Sequence, residues 1–194
     1  MSAAPRVILL DSNAYFRLAL SISPLLAQKF GNPPPYQLKV IDEVEKEYAR
    51  NPRLKTKFHW LCDQVHVADR SAHTYHCRGK VATQVEAAFS YLANYANANA
   101  LNLSRVDIKA LAVGAARGIP VVTDDQSMRR LAEVFAISIM GALELLKLMV
   151  DEQRIDLEKV REVLEYWHHD NDLPAPMARL RDEYRTLFDE KCPI

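Results

Sequence analysis

The chain has 194 residues, and 25 Lys and Arg balance 25 Asp and Glu, so its net charge is zero. This excludes a global basic field for nucleic acid, and any binding of polyanions has to come from a local patch. The three cysteines lack the spacing of a metal ribbon and favour a reducing compartment over a disulfide framework. No segment approaches the ~20 apolar residues of a membrane helix, so we expect a soluble, cytoplasmic protein.

Apolar runs and turn signals predict strands that alternate with helices over the first 140 residues. We expect strands at residues 7–10, 38–41, 64–67, 120–123 and 136–139. The helices expected between them span residues 14–26, 42–50, 55–62, 81–97, 106–117 and 126–133. Residues 70–80 are expected to form a loop. This order predicts an α/β protein, a three-layer α/β/α sandwich with a mainly parallel sheet.

The pattern changes to helices alone from about Gly141. Residues 142–150 and 157–167 carry apolar side chains at helical spacing, and two prolines precede a charged helix at 177–191. The apolar stripe of the first of these helices is more typical of a core than of an interface. We therefore divide the chain into a main domain, residues 1–150, and a C-terminal helical extension, residues 151–194, packed on the domain or on a partner.

Carboxylates stand where several of these elements begin or end. Asp11 follows the apolar run Val-Ile-Leu-Leu, Asp107 lies at the start of a helix, and Asp124 and Asp125 follow Val-Val-Thr. In open α/β folds ligands bind at the edge of the sheet where parallel strands end. Acids gathered there would repel each other too strongly to stay ionised without a cation, which indicates a divalent-metal site.

Helix capping is the ordinary alternative for two of these acids. The sequence Ser-Arg-Val-Asp107 matches a capping box, and Asp124 also stands where it could cap free backbone N–H groups. However, Asp107 shares its helical face with the small or apolar residues Ala110, Leu111 and Gly114. A carboxylate on an inward face is costly unless it is compensated, which favours a functional role for Asp107.

Four segments, in order, resemble the motifs of the PIN-domain ribonucleases. Val-Ile-Leu-Leu-Asp11-Ser-Asn resembles their opening Asp-Thr-Asn signature, and Val-Glu-Lys-Glu47-Tyr is similar to their second-acid segment. Leu-Ser-Arg-Val-Asp107 resembles the helix that presents the third acid, and Val-Val-Thr-Asp-Asp125 looks like their Thr-x-Asp motif. The resemblance spans roughly residues 6–150, and four short motifs in the right order make it specific.

The resemblance implies an endonuclease that hydrolyses RNA phosphodiester bonds with one or two Mg²⁺ or Mn²⁺ ions, which prefer carboxylate oxygens. The catalytic residues and shared metal ligands that it implies are Asp11, Glu47, Asp107 and Asp125, with Asp124 as a further metal ligand. Side chains expected to orient these carboxylates are Ser12, Asn13, Thr123 and Glu43.

Two positions stay open within the resemblance. Glu43 lies one helical turn before Glu47, so both can point to one face, although the order of motifs favours Glu47. The Thr-x-Asp spacing selects Asp125, yet Asp124 is immediately adjacent and can bind metal or cap the helix. Ser12 stands where the family often has Thr, and its hydroxyl can still bond to a site carboxylate.

Because the net charge of the protein is zero, local cations must provide the contacts to RNA phosphates. The most basic loop, residues 70–80, can contact phosphates beside the acids, although a plain solvated loop is the alternative. The cations that we expect to contact RNA are Arg17, Arg78, Lys80, Arg105 and Lys109.

Other classes of protein fit less well. A haloacid-dehalogenase-type phosphatase needs a second Asp two residues after Asp11, where this chain has Asn13. The scattered His and Cys residues match no standard zinc site. Two functions stay open: a metal-dependent ribonuclease, with the toxin of a toxin–antitoxin pair as one setting, and a PIN-like module that binds RNA or protein without turnover. The presence of all four acids favours the ribonuclease. An antitoxin or another protein partner and a homodimer both stay open, and no membrane partner is expected.

Overall fold

A computed structural model describes residues 4–194, and its centre is a five-stranded sheet. The strands are β1 (Arg6–Leu10), β2 (Tyr36–Ile41), β3 (Thr74–Tyr75), β4 (Val121–Val122) and β5 (Ile139–Met140), in the order β3-β2-β1-β4-β5. Every neighbouring pair in the sheet is parallel, and helices flank the sheet. The predicted α/β/α sandwich with a parallel sheet and C-terminal helices is confirmed.

Ten α-helices are described. They are α1 (Ser12–Ala19), α2 (Asp42–Arg50), α3 (Pro52–Lys57), α4 (Gln64–His73), α5 (Lys80–Ala98), α6 (Arg105–Arg117), α7 (Gln126–Val134), α8 (Ala142–Asp151), α9 (Leu157–His169) and α10 (Met177–Phe188). A short 3-10 helix, His59–Cys62, follows α3. Gly118 ends α6 with a positive φ of 62°, the left-handed conformation that favours glycine after a helix.

Strand β1 is the centre of the sheet because it pairs on both sides. Ile8 lies opposite Leu38 of β2, and Leu10 lies opposite Val122 of β4. The chain winds outward from β1 to β3 on one side and from β4 to β5 on the other, so the direction of winding changes between β1 and β4. In open α/β sheets this change creates a crevice beyond the carboxyl ends of the strands, and Asp11 directly follows β1 there.

Several predicted elements differ from the structure. The helix predicted at 55–62 is α3, which ends at Lys57, followed by a 3-10 helix, and the last strand begins at Ile139 rather than at residue 136. Helix α1 ends at Ala19 rather than 26, because Pro24 cannot donate a helical hydrogen bond and the following backbone is held by Asp69 and Arg154. Residues 64–67 belong to helix α4, not to a strand. The predicted loop at 70–80 contains the end of α4 and the edge strand β3.

The alternation of apolar residues in α4 is misleading. Val65 and Val67 are 59% and 40% exposed, whereas the buried side chains of this helix are polar, namely His66, Asp69 and Arg70. Their spacing of three and four residues is helical. Polar groups on this face find partners in the protein, as Asp69 accepts from two backbone N–H groups.

The C-terminal helices share the core of the main sheet. Leu143, Leu146 and Met149 of α8 are buried, as the apolar stripe predicted, and so are Trp167 of α9 and Tyr184 of α10. The division of the chain at residue 150 stays a prediction. Within residues 4–194, no helix is long and apolar enough to cross a bilayer.

Close packing of α6 on β4 gives a stability prediction at Gly114. A Cβ atom added there would lie 2.7 Å from Val121 Cγ2 and 3.0 Å from the Ile119 carbonyl oxygen. We expect Gly114→Ala to lower the free energy of unfolding by about 1–3 kcal/mol through overpacking, despite better helix propensity. Chemical denaturation measures the change, with the exposed Ala115→Ser on the same helix as control. An unchanged or raised stability would contradict this packing.

Candidate active site

Asp11 lies at the carboxyl end of the central strand and is only 3% exposed. Its Oδ1 accepts a 2.6 Å hydrogen bond from the Ala14 backbone N–H, so it caps helix α1. The pKa of Asp11 is raised from 3.8 to about 7. Burial is the largest cause, hydrogen bonds from Thr123 and Ala14 partly oppose it, and the charges of Asp124 and Asp107 add to it. A carboxyl group in this state gains most from a nearby cation.

The two acids after β4 turn in different directions. Asp125 is exposed and caps α7 by accepting a 2.8 Å hydrogen bond from the Met128 backbone N–H. Asp124 accepts from the Ala142 backbone N–H at 3.2 Å, at the start of α8. Burial raises the pKa of Asp124, and the Ala142 hydrogen bond and nearby arginines, Arg17 first, oppose that rise. Each acid therefore has a structural contact as well as a place near Asp11 or Asp107.

Asp107 forms the capping box that its sequence suggested. Its Oδ2 accepts from the Ser104 N–H at 2.8 Å, and its own N–H donates to Ser104 Oγ at 3.1 Å. Burial raises the pKa of Asp107, and the charge of Asp125 adds to that rise. The face that it shares with Ala110 and Leu111 is buried, as expected. Capping and a role beside the other acids are therefore compatible at this residue.

Glu47 is connected to Asp11 through Ser12. Ser12 Oγ donates a 2.5 Å hydrogen bond to Glu47 Oε2, and Ser12 directly follows Asp11 in the chain. Glu43, one turn earlier on α2, lines a separate recess of about 130 Å³ beside Lys109. This arrangement favours Glu47 over Glu43 as the second acid of the cluster.

A cleft of about 300 Å³ lies at the carboxyl edge of the sheet. Its lining residues are Asp11, Asn13, Arg17, Asp124, Asp125, Gln126, Ser127 and Pro174. Pro174 comes from the segment between α9 and α10, so the C-terminal extension forms part of the wall. A larger concavity, of about 740 Å³, lies around the end of α10 and contains none of the candidate acids.

Four helices direct their N-terminal ends toward these acids. Asp11 caps α1, Asp107 lies in the first turn of α6, Asp125 caps α7, and Asp124 accepts from the first residue of α8. A helix N-terminus carries a partial positive charge that stabilises a carboxylate. The four ends therefore offset part of the cost of bringing several acids to one edge of the sheet.

The donor set suits a hard divalent cation in its chemistry, since carboxylates dominate and hydroxyl and amide groups surround them. Among residues 4–194, however, no three His, Cys, Asp or Glu side chains are grouped closely enough to hold a metal ion together. The carboxylates would have to move toward a cation to share it.

The predicted RNA-binding cations do not form one patch. Arg17 lines the acidic cleft, whereas Arg78 and Lys80 are exposed near the start of α5. Arg105 stacks on the Phe89 ring at 4.9 Å, and Lys109 pairs with Glu86. Of the five, only Arg17 lies among the residues of the cleft.

A comparison with families of known proteins finds a match in the second half of the chain. Residues 80–171 match a family model described as PIN domain (DUF3368), and this segment includes Asp107, Asp124 and Asp125. Over this segment, which is slightly less than half of the chain, the sequence is similar to the PIN-domain family. PIN domains are generally nucleases and typically use divalent metal ions. Asp11 and Glu47 lie before the matched segment.

One solved structure similar to this chain is the crystal structure of FitAcB from Neisseria gonorrhoeae. The match covers 70% of this chain and 97% of that chain, with 16% sequence identity and a TM-score of 0.43. No curated protein matches the sequence.

Sequence reasoning missed the residues that the C-terminal extension brings to the acidic cleft. Pro174 lines the cleft, and Arg179 lies near enough to Asp124 to lower its pKa. Arg129 of α7 acts on Asp124 in the same way and donates to the Thr123 carbonyl at 3.1 Å. Only Arg129 carried a signal, because it lies one turn after the Thr-x-Asp motif.

Proposed function

We propose that the protein is an endoribonuclease that hydrolyses RNA with one or two divalent cations, Mg²⁺ or Mn²⁺. The observation that carries the proposal is Asp11, a 3% exposed carboxyl at the switch point of the sheet whose pKa is raised to about 7 near two further acids. Burial of an ionised carboxylate lowers the stability of the fold, and groups whose pKa values are perturbed in this way cluster at functional sites.

The residues that would hold the cation are Asp11, Glu47, Asp107 and Asp125, with Asp124 as the alternative to Asp125. When bound, a divalent cation would activate the attacking water and stabilise the leaving oxygen of the phosphodiester. No His, Cys or Lys nucleophile is needed for this chemistry. The carboxylates would supply negative oxygen donors, and three of the five, Asp11, Asp124 and Asp125, line the cleft.

Neighbouring hydroxyl groups orient these acids. The 2.5 Å bond from Ser12 holds one Glu47 oxygen beside the residue that follows Asp11, and the Thr123 hydroxyl lies close enough to Asp11 to lower its pKa. Thr123 also accepts from the Asp125 N–H at 3.2 Å, so one hydroxyl contacts both ends of the cluster. Asn13 lines the cleft and can contact RNA or a carboxylate there.

The direct test is cleavage of single-stranded RNA by the purified protein with and without Mg²⁺ or Mn²⁺. We expect cleavage only with a divalent ion and its loss on addition of a chelator. Asp107→Asn, which keeps the oxygen that caps α6, is the matched inactive control. Cleavage that continues in chelator, or that Asp107→Asn retains in full, would contradict the proposal.

Replacement of exposed cations should change RNA binding without changing turnover. Arg78 and Lys80 lie outside the residues that line the cleft. If they contact phosphates, replacing both with Ala should weaken RNA binding whatever the sequence and lower its salt dependence by about 0.7 per lost contact. Turnover at saturating RNA should continue, because the acids are intact. Equal affinity and salt dependence in the double variant would leave these two cations without a role in RNA binding.

A second function is a PIN-like module that binds RNA or protein without turnover. It is favoured by the caps, since Asp11, Asp107, Asp124 and Asp125 all accept hydrogen bonds at helix ends and so have a structural use without catalysis. This function predicts RNA or protein binding that no divalent ion converts into cleavage.

A toxin in a toxin–antitoxin pair is the biological setting that the family resemblance leaves open. An antitoxin peptide would then block the acidic cleft, and a small neighbouring gene should encode it. Growth arrest on expression that this neighbour relieves would support the toxin setting. Cleavage of RNA without such an effect would favour a nuclease of another role.

A further inference from the structure

A pair of cations beside the acidic cleft shares one carboxylate of the C-terminal extension. Asp172 lies between α9 and α10, and its Oδ1 is 3.0 Å from Lys57 Nζ and 3.4 Å from Arg17 Nε. Arg17 lines the cleft together with Pro174, two residues after Asp172. An anionic oxygen therefore lies between two cations next to the proposed catalytic acids.

The backbone around Asp172 is fixed independently of this ion pair. Trp167 is fully buried, and its Nε1 donates to the Arg17 carbonyl at 3.1 Å. The Asp172 N–H donates to the Trp167 carbonyl at 2.9 Å, at the end of α9. Packing of Trp167 thus places this segment on α1, and the carboxylate of Asp172 can leave the cations without release of the helix.

Arg17 is incompletely satisfied by Asp172. Its Nη2 reaches Oδ1 only at 3.4 Å, and its Nε is buried without a hydrogen-bond partner. Within residues 4–194 the one other buried side-chain atom in this condition is Arg154 Nε, and Arg154 has a structural role because it donates to three backbone carbonyls. A phosphate has more acceptor oxygens and could engage both donors of Arg17.

We propose that Arg17 and Lys57 form a binding site for a backbone phosphate of RNA, and that Asp172 occupies this site in the free protein. The inference rests on the proposed nuclease function, and it names the cations that draw a polyanion toward an acidic cleft. A phosphate oxygen takes the place of Asp172 Oδ1 between the two cations. The exchange keeps the cations paired, so their charge stays compensated in both states.

Binding of a fluorescent, non-cleavable 2′-O-methyl RNA oligonucleotide to the full chain in EDTA tests this site. The affinity is measured over a series of salt concentrations. Asp172→Asn removes the competing anion and should tighten binding about 2- to 10-fold, as expected for the loss of two weak ion pairs. Arg17→Gln with Lys57→Gln should weaken binding and lower the salt dependence by roughly 0.7 for each lost contact.

Matched variants separate competition from a general change in charge. Glu165→Gln removes an exposed carboxylate from α9, and Lys55→Gln removes an exposed cation from α3. Both should change the affinity far less than the site variants. In the Arg17→Gln/Lys57→Gln background, Asp172→Asn should bring no further gain, because there is no longer a site to free.

The outcomes distinguish this site from the catalytic proposal. RNA binding that follows this pattern without any divalent-dependent cleavage would overturn the ribonuclease and keep the site. If the unmodified protein cleaves RNA but none of these variants changes RNA affinity, the phosphate site is overturned and the ribonuclease proposal stands. A gain from Asp172→Asn that Glu165→Gln matches, or that persists in the Arg17→Gln/Lys57→Gln background, also overturns the site. Thermal unfolding of each variant verifies folding, and Lys57→Gln, at an exposed position, serves alone if Arg17→Gln unfolds.

Discussion

Asparagine at position 107 should remove RNA cleavage while the fold stays intact. Asn keeps the side-chain oxygen that accepts from Ser104, so the capping box at the start of α6 can form in the variant. What it loses is the negative charge toward Asp125 and Asp11. Loss of a charged ligand costs several kcal/mol of transition-state stabilisation, which corresponds to a fall in kcat of about 10²- to 10³-fold.

The comparison of Asp107→Asn with Asp107→Ala tests the capping role separately. Alanine removes both the charge and the cap, and the loss of the cap should cost about 1 kcal/mol of stability that Asn largely retains. Single-turnover cleavage and chemical denaturation measure the two effects on the same variants. Loss of stability in both variants with full cleavage in Asn would assign Asp107 to the helix alone.

Local motifs were sufficient to predict the central part of the fold. The apolar runs at β1, β2 and β4 are buried on both faces, so they appear in sequence as short uninterrupted hydrophobic segments. The long helices α5 and α6 were predicted nearly to the residue, and Gly118 ends α6 as expected. Helix α4 was missed because its buried face is polar, and its partners come from distant parts of the chain.

The residues of the site also differ in whether their contacts are local or distant in the sequence. Asp11, Asp107 and Asp125 follow local motifs, and their caps involve residues only three positions away. By contrast, Asp124 bonds to Ala142, 18 residues later, and Asp172 meets Arg17 across 155 residues. No spacing in the sequence encodes such contacts, because they depend on how α8 and the C-terminal extension pack on the sheet.

The second large effect concerns pH, metal and stability together. The pKa of Asp11 is about 7 in the folded protein against 3.8 as the ordinary value, so the folded state binds more protons between these pH values. The free energy of unfolding should therefore fall as pH rises from about 4 to 7. The raised pKa values of Asp107 and Asp124 act in the same direction.

Asp11→Asn should remove much of this pH dependence. The rise in the pKa of Asp11 corresponds to about 4 kcal/mol at pH 8, as an upper value for a fully buried group. Asn is neutral at every pH and can still accept from the Ala14 N–H, so the variant should be more stable than the parent above pH 7 and similar below pH 4. Denaturation across this pH range measures the difference, and a destabilised variant at pH 8 would favour a purely structural Asp11.

Divalent cations should restore at high pH the stability that is lost when the buried acids ionise. An ion that binds only the folded protein raises its stability by about 2.7 kcal/mol at a hundredfold excess over Kd. Protons compete for the same carboxylates, so the rise in Tm with Mg²⁺ or Mn²⁺ should be larger at pH 8 than at pH 5. Asp11→Asn should reduce this rise, whereas Asp170→Asn, an exposed acid of the C-terminal extension, should leave it unchanged. An equal rise in Tm for the parent and Asp11→Asn would mean that the ion binds elsewhere, because the buried carboxylate that gains most from a cation would then contribute nothing to holding it.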